Sequence, residues 1–512
     1  MEKGLKCSLP PPTQSQALDS LVADLAPRLT GKAVVDHVAE HLKNSPIPVL
    51  PMEDRKVINS IKKKMCENNV IVCRADKGNT LVMIDRNVYK QKVEDTLQTC
   101  GATIDPEFNF KSHVDEVRKL INGIKVVVKK VPAIKSILEP NPIPPRLYGM
   151  PKLHKPGVPM RPVVSFIGAP SYKLAKFVDR WIKAMVDVTS AYSVPNSVSL
   201  CESIRDIPTP PPNSVLVSFD VTSLFPKIPT KVTIDYIRQM LNNTLSPCPA
   251  VYEIVQLLSK CIKYNFCKFN DNYYKFPEGV GVPIGFPLGS LMGEAFLKKF
   301  EEDLFNSMYG GLEHIVYWRR YVDDVLCLWS GPIGALNDFL NHLNTLYPTI
   351  KFTMEVGGNC INFLDLTISL CDNRHTFSIY RKSTTTDTLI PGDSFTPYSY
   401  KLSAFASMAH RLVSISVSDI AYRHEISVMK YLAKLNNVHV DIEKLVHKKA
   451  TKRALDGTSS LPRDTTSRRD PKWVRVPYLG KTSLDLSKFL KVAGLRPVYY
   501  SLNTVKNNFA TI

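Results

Sequence analysis

The stretch Arg319-Arg320-Tyr321-Val322-Asp323-Asp324-Val325-Leu326-Cys327-Leu328-Trp329 places two adjacent acids between runs rich in β-branched and aromatic residues. That pattern predicts a strand that enters, turns tightly at the aspartates and leaves as a second, more buried strand. Such a turn carries carboxylates out of the sheet at one point, where their oxygens suit a hard divalent cation and phosphoryl transfer. An isolated Asp-Asp pair is equally the sequence of a solvated hairpin tip.

A chain of 512 residues is too long for one ordinary core, so two to four folded units are expected. With 44% apolar and 22% charged residues the composition is that of a globular protein. The net charge of +19 exceeds what one basic tail supplies. A polyanion is the partner it points to, and nucleic acid before a solubility role, because lysines and arginines recur beside the candidate acids. Eleven cysteines contain no C-x-x-C pair, which excludes a zinc ribbon or thioredoxin-like site and suggests reduced thiols in an intracellular protein. The amino terminus lacks the apolar core of a secretory signal, and no run approaches the roughly 20 apolar residues of a membrane span. The expectation is a soluble protein with no membrane partner.

Working outward from the tetrad, Val215-Leu216-Val217-Ser218-Phe219-Asp220 reads as a short buried strand ending in an acid. Helices are expected at 230–245 and 251–263, an aromatic hairpin at 265–276, and a Gly/Pro loop from Gly281 to Gly289 opening a helix at 290–308. Upstream, two strands flank Asp76-Lys77-Gly78-Asn79, a basic-tipped hairpin carries Lys152, Lys155 and Arg161, and a helix spans 171–188. Apolar runs near Leu18–Leu29 and after Pro51 read as N-terminal helices. Pro208-Thr209-Pro210-Pro211-Pro212 reads as a stiff connector. Residues 404–449 read as helical, and 448–475, with Arg463, Arg468 and Arg469, as a basic linker that could also dock on nucleic acid. This order is that of an α+β domain with helices packed on an antiparallel sheet. Asp220 and Asp323 are far apart in the chain, so only adjacent strands of one sheet could make them partners around a pair of metal ions.

Phe219-Asp220-Val221-Thr222-Ser223-Leu224-Phe225-Pro226, the Gly281–Gly289 loop and Tyr321-Val322-Asp323-Asp324 resemble, in this order, the palm motifs of reverse transcriptases. Tyr148-Gly149-Met150-Pro151-Lys152-Leu153-His154-Lys155, Arg161-Pro162, Asn362-Phe363-Leu364-Asp365-Leu366-Thr367-Ile368 and Tyr380-Arg381-Lys382-Ser383-Thr384-Thr385-Thr386-Asp387 look specifically like Penelope-like retroelements, whose polymerase is related to that of telomerase. The resemblance covers roughly 70–450. It implies a right-hand polymerase with fingers, antiparallel-sheet palm and helical thumb. The expected divisions are a helical N-terminal extension at 1–69, fingers at 70–190, palm at 191–382, a helix-turn-helix-like thumb at 383–449, and a basic linker with a C-terminal remnant at 450–512.

The family's roles, laid on this chain, make Asp220, Asp323 and the adjacent Asp324 catalytic and metal-binding, with two Mg²⁺ ions as cofactors and Mn²⁺ as a substitute. Lys152, Lys155 and Arg161 would grip the triphosphate. The amides of Ser223 and Leu224 would hold its oxygens, Phe225 would exclude a ribose 2′-hydroxyl, and Gly285 would let backbone approach the nascent pair. The implied activity is RNA-directed DNA synthesis, with an RNA template, a DNA primer or target and deoxynucleoside triphosphates as partners and the nucleus as location; oligomeric state is not legible. The chain departs from the family at Glu278, Phe286 and Thr396, and a bulky Phe286 is expected beside the template. No match to the family's carboxy-terminal GIY-YIG endonuclease is found, Arg496-Pro497-Val498-Tyr499-Tyr500 being the nearest approach, so nuclease activity is not expected. The alternative is a degenerate or co-opted copy that binds nucleic acid without polymerising.

Overall fold

A computed structural model describes residues 7–25, 47–78, 80–128, 131–207, 211–371, 374–415, 417–458, 472–492 and 494–509. Asn79, the far end of the Leu18–Leu29 run, Pro208 to Pro210, and Arg463, Arg468 and Arg469 lie outside the described residues. The chain divides into two compact units, one of Met1–Val88 with Arg381–Ile512 and the other of Tyr89–Tyr380.

In the first unit, strand β1 (Ser8–Leu9) precedes a helix at Gln14–Leu25 whose Ala17, Leu21 and Leu25 are buried. Their four-residue spacing sets all three on one face. A helix at Met52–Glu67 follows, then β2 (Val70–Arg74) and β3 (Leu81–Asp85), an antiparallel pair whose turn carries Lys77.

The second unit opens within a helix at Arg86–Thr99, and then carries β4 (Thr103–Ile104), a helix at Phe110–Asn122, β5 (Arg146–Pro151), β6 (Met160–Ser165) and the helix at Tyr172–Met185. After β7 (Val215–Val221) come helices at Thr230–Leu245 and Pro249–Lys263, with the aromatic hairpin β8 (Phe266–Phe269) and β9 (Asn272–Lys275). The helix at Gly289–Phe305 leads to β10 (Ile315–Tyr321) and β11 (Asp324–Trp329), then to β12 (Phe352–Gly358). A three-stranded sheet of β13 (Cys360–Phe363), β14 (Leu366–Cys371) and β15 (Arg374–Ile379) ends the unit. One sheet has the order β10-β11-β7-β12, entirely antiparallel, and another β4-β9-β8-β5-β6. Val325, Leu326, Cys327, Leu328 and Trp329 are all buried because β11 lies inside its sheet with both faces covered. Trp329 stacks on Phe339, and Phe219 meets Trp318 and Phe339 at 5.7 Å each. The strand carrying Asp220 is thereby anchored from below.

Past the second unit the first resumes, with helices at Ser403–Ser414, Asp419–Leu435 and Ile442–Thr458 in the span expected to be helical. Of the stretch expected as a basic linker, 459–471 lies outside the described residues, and the span expected as a C-terminal remnant carries regular elements. From Lys472 the chain forms β16 (Lys472–Pro477), a helix at Lys481–Val492 and β17 (Leu495–Tyr500), the strands pairing in parallel, followed by β18 (Asn503–Thr504) and a short helix at Val505–Phe509. Val474, Val476, Leu486, Leu490 and Leu495 share one core with Ala17, Leu21 and Leu25, and β18 pairs with β1. Each C-terminal element is too short to bury its own apolar face, and its cover comes from the other end of the chain.

Candidate catalytic site

β10 and β11 meet in a two-residue turn, Tyr321 pairing with Asp324 around Val322-Asp323. Val322 has φ of +54°, a conformation that costs a β-branched residue free energy and is found where surrounding contacts enforce it. The register then decides the geometry: Asp324 lies directly opposite Asp220 on β7, and Asp220 lies opposite Thr353 on β12. Residues so opposed point to the same face of an antiparallel sheet, with Cβ atoms about 5 Å apart. Asp323 stands one position earlier, in the turn, and its carbonyl accepts a hydrogen bond from the Val221 amide at 3.2 Å. Asp220 is exposed, and Asp323 and Asp324 are half-buried. All three predicted acids therefore gather at the ends of β7 and β11.

The turn is held from behind by Arg320, whose side chain is 1% exposed. Its Nε and Nη2 donate to Glu301 at 2.9 and 3.3 Å, Nη1 donates to Glu294 at 3.2 Å and to the Val322 carbonyl at 3.0 Å, and Nη2 also reaches Ser193 Oγ at 2.9 Å. Trp318 Nε1 donates to the same Glu301 carboxylate at 3.3 Å. A buried ion pair is tolerable only when its donors and acceptors are used in this way. Neither Arg320 nor Glu301 stands out as functional in the sequence, although a signal is present. Arg320 shares the inward face of β10 with Trp318, and Glu301 sits on the buried stripe of its helix with Leu297 and Leu304. Glu425 was missed likewise: it is 2% exposed and takes a bidentate contact from Arg381 at 2.5 and 2.6 Å.

After Asp220 the chain leaves β7 through Ser223, whose φ of 58° and ψ of 56° turn it into the short helix Leu224–Lys227. Ser223 is exposed, Leu224 buried and Phe225 half-buried. The Phe225 ring lies over Gly289 and Gly293, where a Cβ would sit 3.7 and 3.4 Å from it. Lys152 and Lys155 occupy the tip between β5 and β6, and Arg161 pairs with Met150 within that hairpin.

The Gly281–Gly289 loop is pinned at two points. A Cβ on Gly281 would fall 2.2 Å from the Pro226 carbonyl oxygen and one on Gly285 2.3 Å from that of Val164, and both residues have positive φ. The close approach that requires glycine is thus to the protein's own backbone, locking the loop between the Phe225 turn and β6. Phe286, expected as an obstacle beside the template, is instead 7% exposed and packs edge-on against Phe166 at 5.0 Å. Its apolar ring gains more from burial than from standing in a basic cleft. Glu278 is exposed and pairs with Lys275 at 2.8 Å, which holds its carboxyl below the usual range.

Among the described residues no three His, Cys, Asp or Glu side chains form a self-contained metal cluster. Mg²⁺ is usually held by one or two carboxylates, with substrate phosphates and water completing the shell, so oxygen donors on two neighbouring strands fit a site that substrate would complete.

No protein-family model matches the sequence, and comparison with curated proteins finds no match. Among solved structures, telomerase from Candida albicans in complex with the TWJ fragment of telomeric RNA is similar over 89% of this chain and 84% of its own, with a TM-score of 0.51 and 11% identity. The chain has the α+β fold of a right-hand polymerase. Weaker likenesses are to apo telomerase from Candida tropicalis, at TM-score 0.44 and 11% identity over 82% of this chain and 79% of that one, and to the Sicinivirus 3Dpol RNA-dependent RNA polymerase, at 0.40 and 13% over 66% and 70%.

Proposed function

We propose that the protein is a reverse transcriptase of the Penelope-like type, extending a DNA primer on an RNA template. The observation that carries this reading is the register bringing Asp324 opposite Asp220, with Asp323 in the adjoining turn, in a chain of polymerase fold. Divalent cations bound there would supply charge neutralisation for an incoming triphosphate and for the departing pyrophosphate. The protein's part is to hold the carboxylates at fixed separation on a sheet anchored by Trp329 and by the Arg320 contacts. Lys152, Lys155 and Arg161 would serve as charge-assisted donors to the triphosphate, and the backbone at Ser223 and Leu224 as the floor beneath it. Phe225 stands with its ring propped by two glycine positions, which suits a steric test of the sugar.

The deciding experiment is primer extension on a homopolymer RNA template with Mg²⁺ or Mn²⁺. Asp323→Asn should abolish incorporation while leaving the circular dichroism spectrum and melting temperature unchanged; normal extension by that variant would refute the proposal. In the same assay Phe225→Ala should accept ribonucleotides more readily, and unaltered sugar selectivity would make Phe225 a packing residue only. A chain that binds primer–template and never extends it would be the co-opted copy instead. Burial of Phe286 removes one reason for expecting that outcome.

A further inference from the structure

In the C-terminal β-α-β segment the burial of side chains alternates. Val474 and Val476 of β16 and Leu495 of β17 point into the core shared with the N-terminal helix. The opposite face is left to solvent. Register pairs Trp473 with Arg496 and Arg475 with Val498, so these four residues stand together on that face. Trp473 is 53% and Val498 41% exposed, and both arginines are exposed.

Two contacts order this surface. The Arg496 guanidinium lies over the Trp473 ring at 5.8 Å, and that of Arg475 over the Tyr500 ring at 4.5 Å. Tyr500 is fixed in turn by donating its hydroxyl to Asp24 at 2.6 Å. Among the described residues neither arginine is in an ion pair with a carboxylate. A half-exposed tryptophan under one guanidinium, with a second arginine on the same face, is costly as mere surface, since apolar rings and cations on one open sheet face invite association. Its chemistry matches one class of partner. Aromatic rings and guanidinium planes stack on unpaired bases without reading their identity, and the same arginines neutralise phosphates.

We propose that the Trp473, Arg475, Arg496 and Val498 face is a binding platform for single-stranded nucleic acid, separate from the palm aspartates. Charge complementarity favours this occupant over a protein: the face carries two exposed arginines and no acid, and the whole chain carries +19. Binding there needs neither Mg²⁺ nor nucleotide, so it stands or falls independently of polymerase activity.

The test is fluorescence anisotropy on the full-length chain, without metal or nucleotide, using labelled single strands of about 15 nucleotides. Trp473→Ala should weaken binding by about tenfold and Trp473→Phe should retain most of it. The pair Arg475→Gln with Arg496→Gln should weaken binding and flatten its salt dependence by about 0.7 for each arginine. Both substitutions are on exposed positions, so the double variant serves even if Trp473→Ala perturbs folding. Ultraviolet cross-linking followed by peptide mapping should place the strand on peptides containing Trp473 or Tyr500. Parallel DNA and RNA strands identify which polymer binds more tightly. Unchanged affinity and salt slope in the arginine variant, or cross-links confined to Tyr89–Tyr380, would overturn the platform. Asp323→Asn should leave this binding intact, which separates its failure from failure of the polymerase reading.

Discussion

Arg320 donates a hydrogen bond to the main-chain carbonyl of Val322 at 3.0 Å, and so one buried guanidinium links the strained turn of the aspartates to the helix at Gly289–Phe305. The same side chain is bound to Glu301 through two nitrogens. The conformation of Val322, disfavoured on its own, is imposed by a group that cannot move without leaving a buried charge unpaired.

Truncating Glu301 should therefore be far more damaging than truncating a surface acid. Glu301→Ala is expected to cost about 3–5 kcal/mol in urea unfolding, because Arg320 stays buried with part of its partner set gone. Asp235→Ala, which breaks a half-exposed pair with Arg238, should cost less than about 1 kcal/mol. Equal losses in the two variants would show that Arg320 is not the support of the turn. Replacing both Arg320 and Glu301 with apolar residues should restore stability but not primer extension, since the Val322 carbonyl would still lack its donor.

The loop glycines separate backbone conformation from crowding. Gly157 has φ of +71° with nothing near a built Cβ, so Gly157→Ala should cost about 1 kcal/mol from conformation alone. Gly281→Ala and Gly285→Ala add a Cβ within 2.3 Å of a carbonyl oxygen and should cost about 2 kcal/mol more, with loss of extension. Thermal melts of the three variants check the ranking, and similar melting temperatures would contradict the packing described for this loop.

Acid should destabilise the second unit through His113. This imidazole is 7% exposed among Phe108, Tyr264 and Phe266, its Nε2 has no hydrogen-bond partner, and burial pushes its pKa down to about 4 while Glu116 opposes the shift. The unfolded chain binds the proton first. The stability held above the unfolded value of about 6.5 is therefore lost as pH falls toward about 4, by at most about 3 kcal/mol. Urea unfolding at both ends of that window should show a steeper loss for the native chain than for His113→Phe. Parallel pH profiles would mean that His113 is solvated in the fold.

Much of the second unit was legible because its elements are locally periodic. The β-branched and aromatic runs at 215–220 and 315–329, the glycines of the 281–289 loop and the helix at 230–245 announce themselves within a few residues. The C-terminal segment was not legible, since the alternation of Val474 and Val476 is brief and its cover is Leu21 and Leu25, some 450 positions away. The fate of Phe286 was missed for a related reason: its partner Phe166 lies on a different element, and a family pattern in sequence does not say which way a side chain turns.

By itself the sequence determined that two acids would sit at a hairpin turn, that a third would end a buried strand, and that the whole would carry excess positive charge. Those are consequences of short-range periodicity and composition. Only the tertiary structure decided that Asp324 stands opposite Asp220, because register between strands remote in sequence is chosen by the packing beneath them. It also decided that Arg320 is an internal support and not part of the basic surface. A charge enters the core only where folded neighbours such as Glu294, Glu301 and Val322 repay its lost water, and the linear order of residues does not show that company.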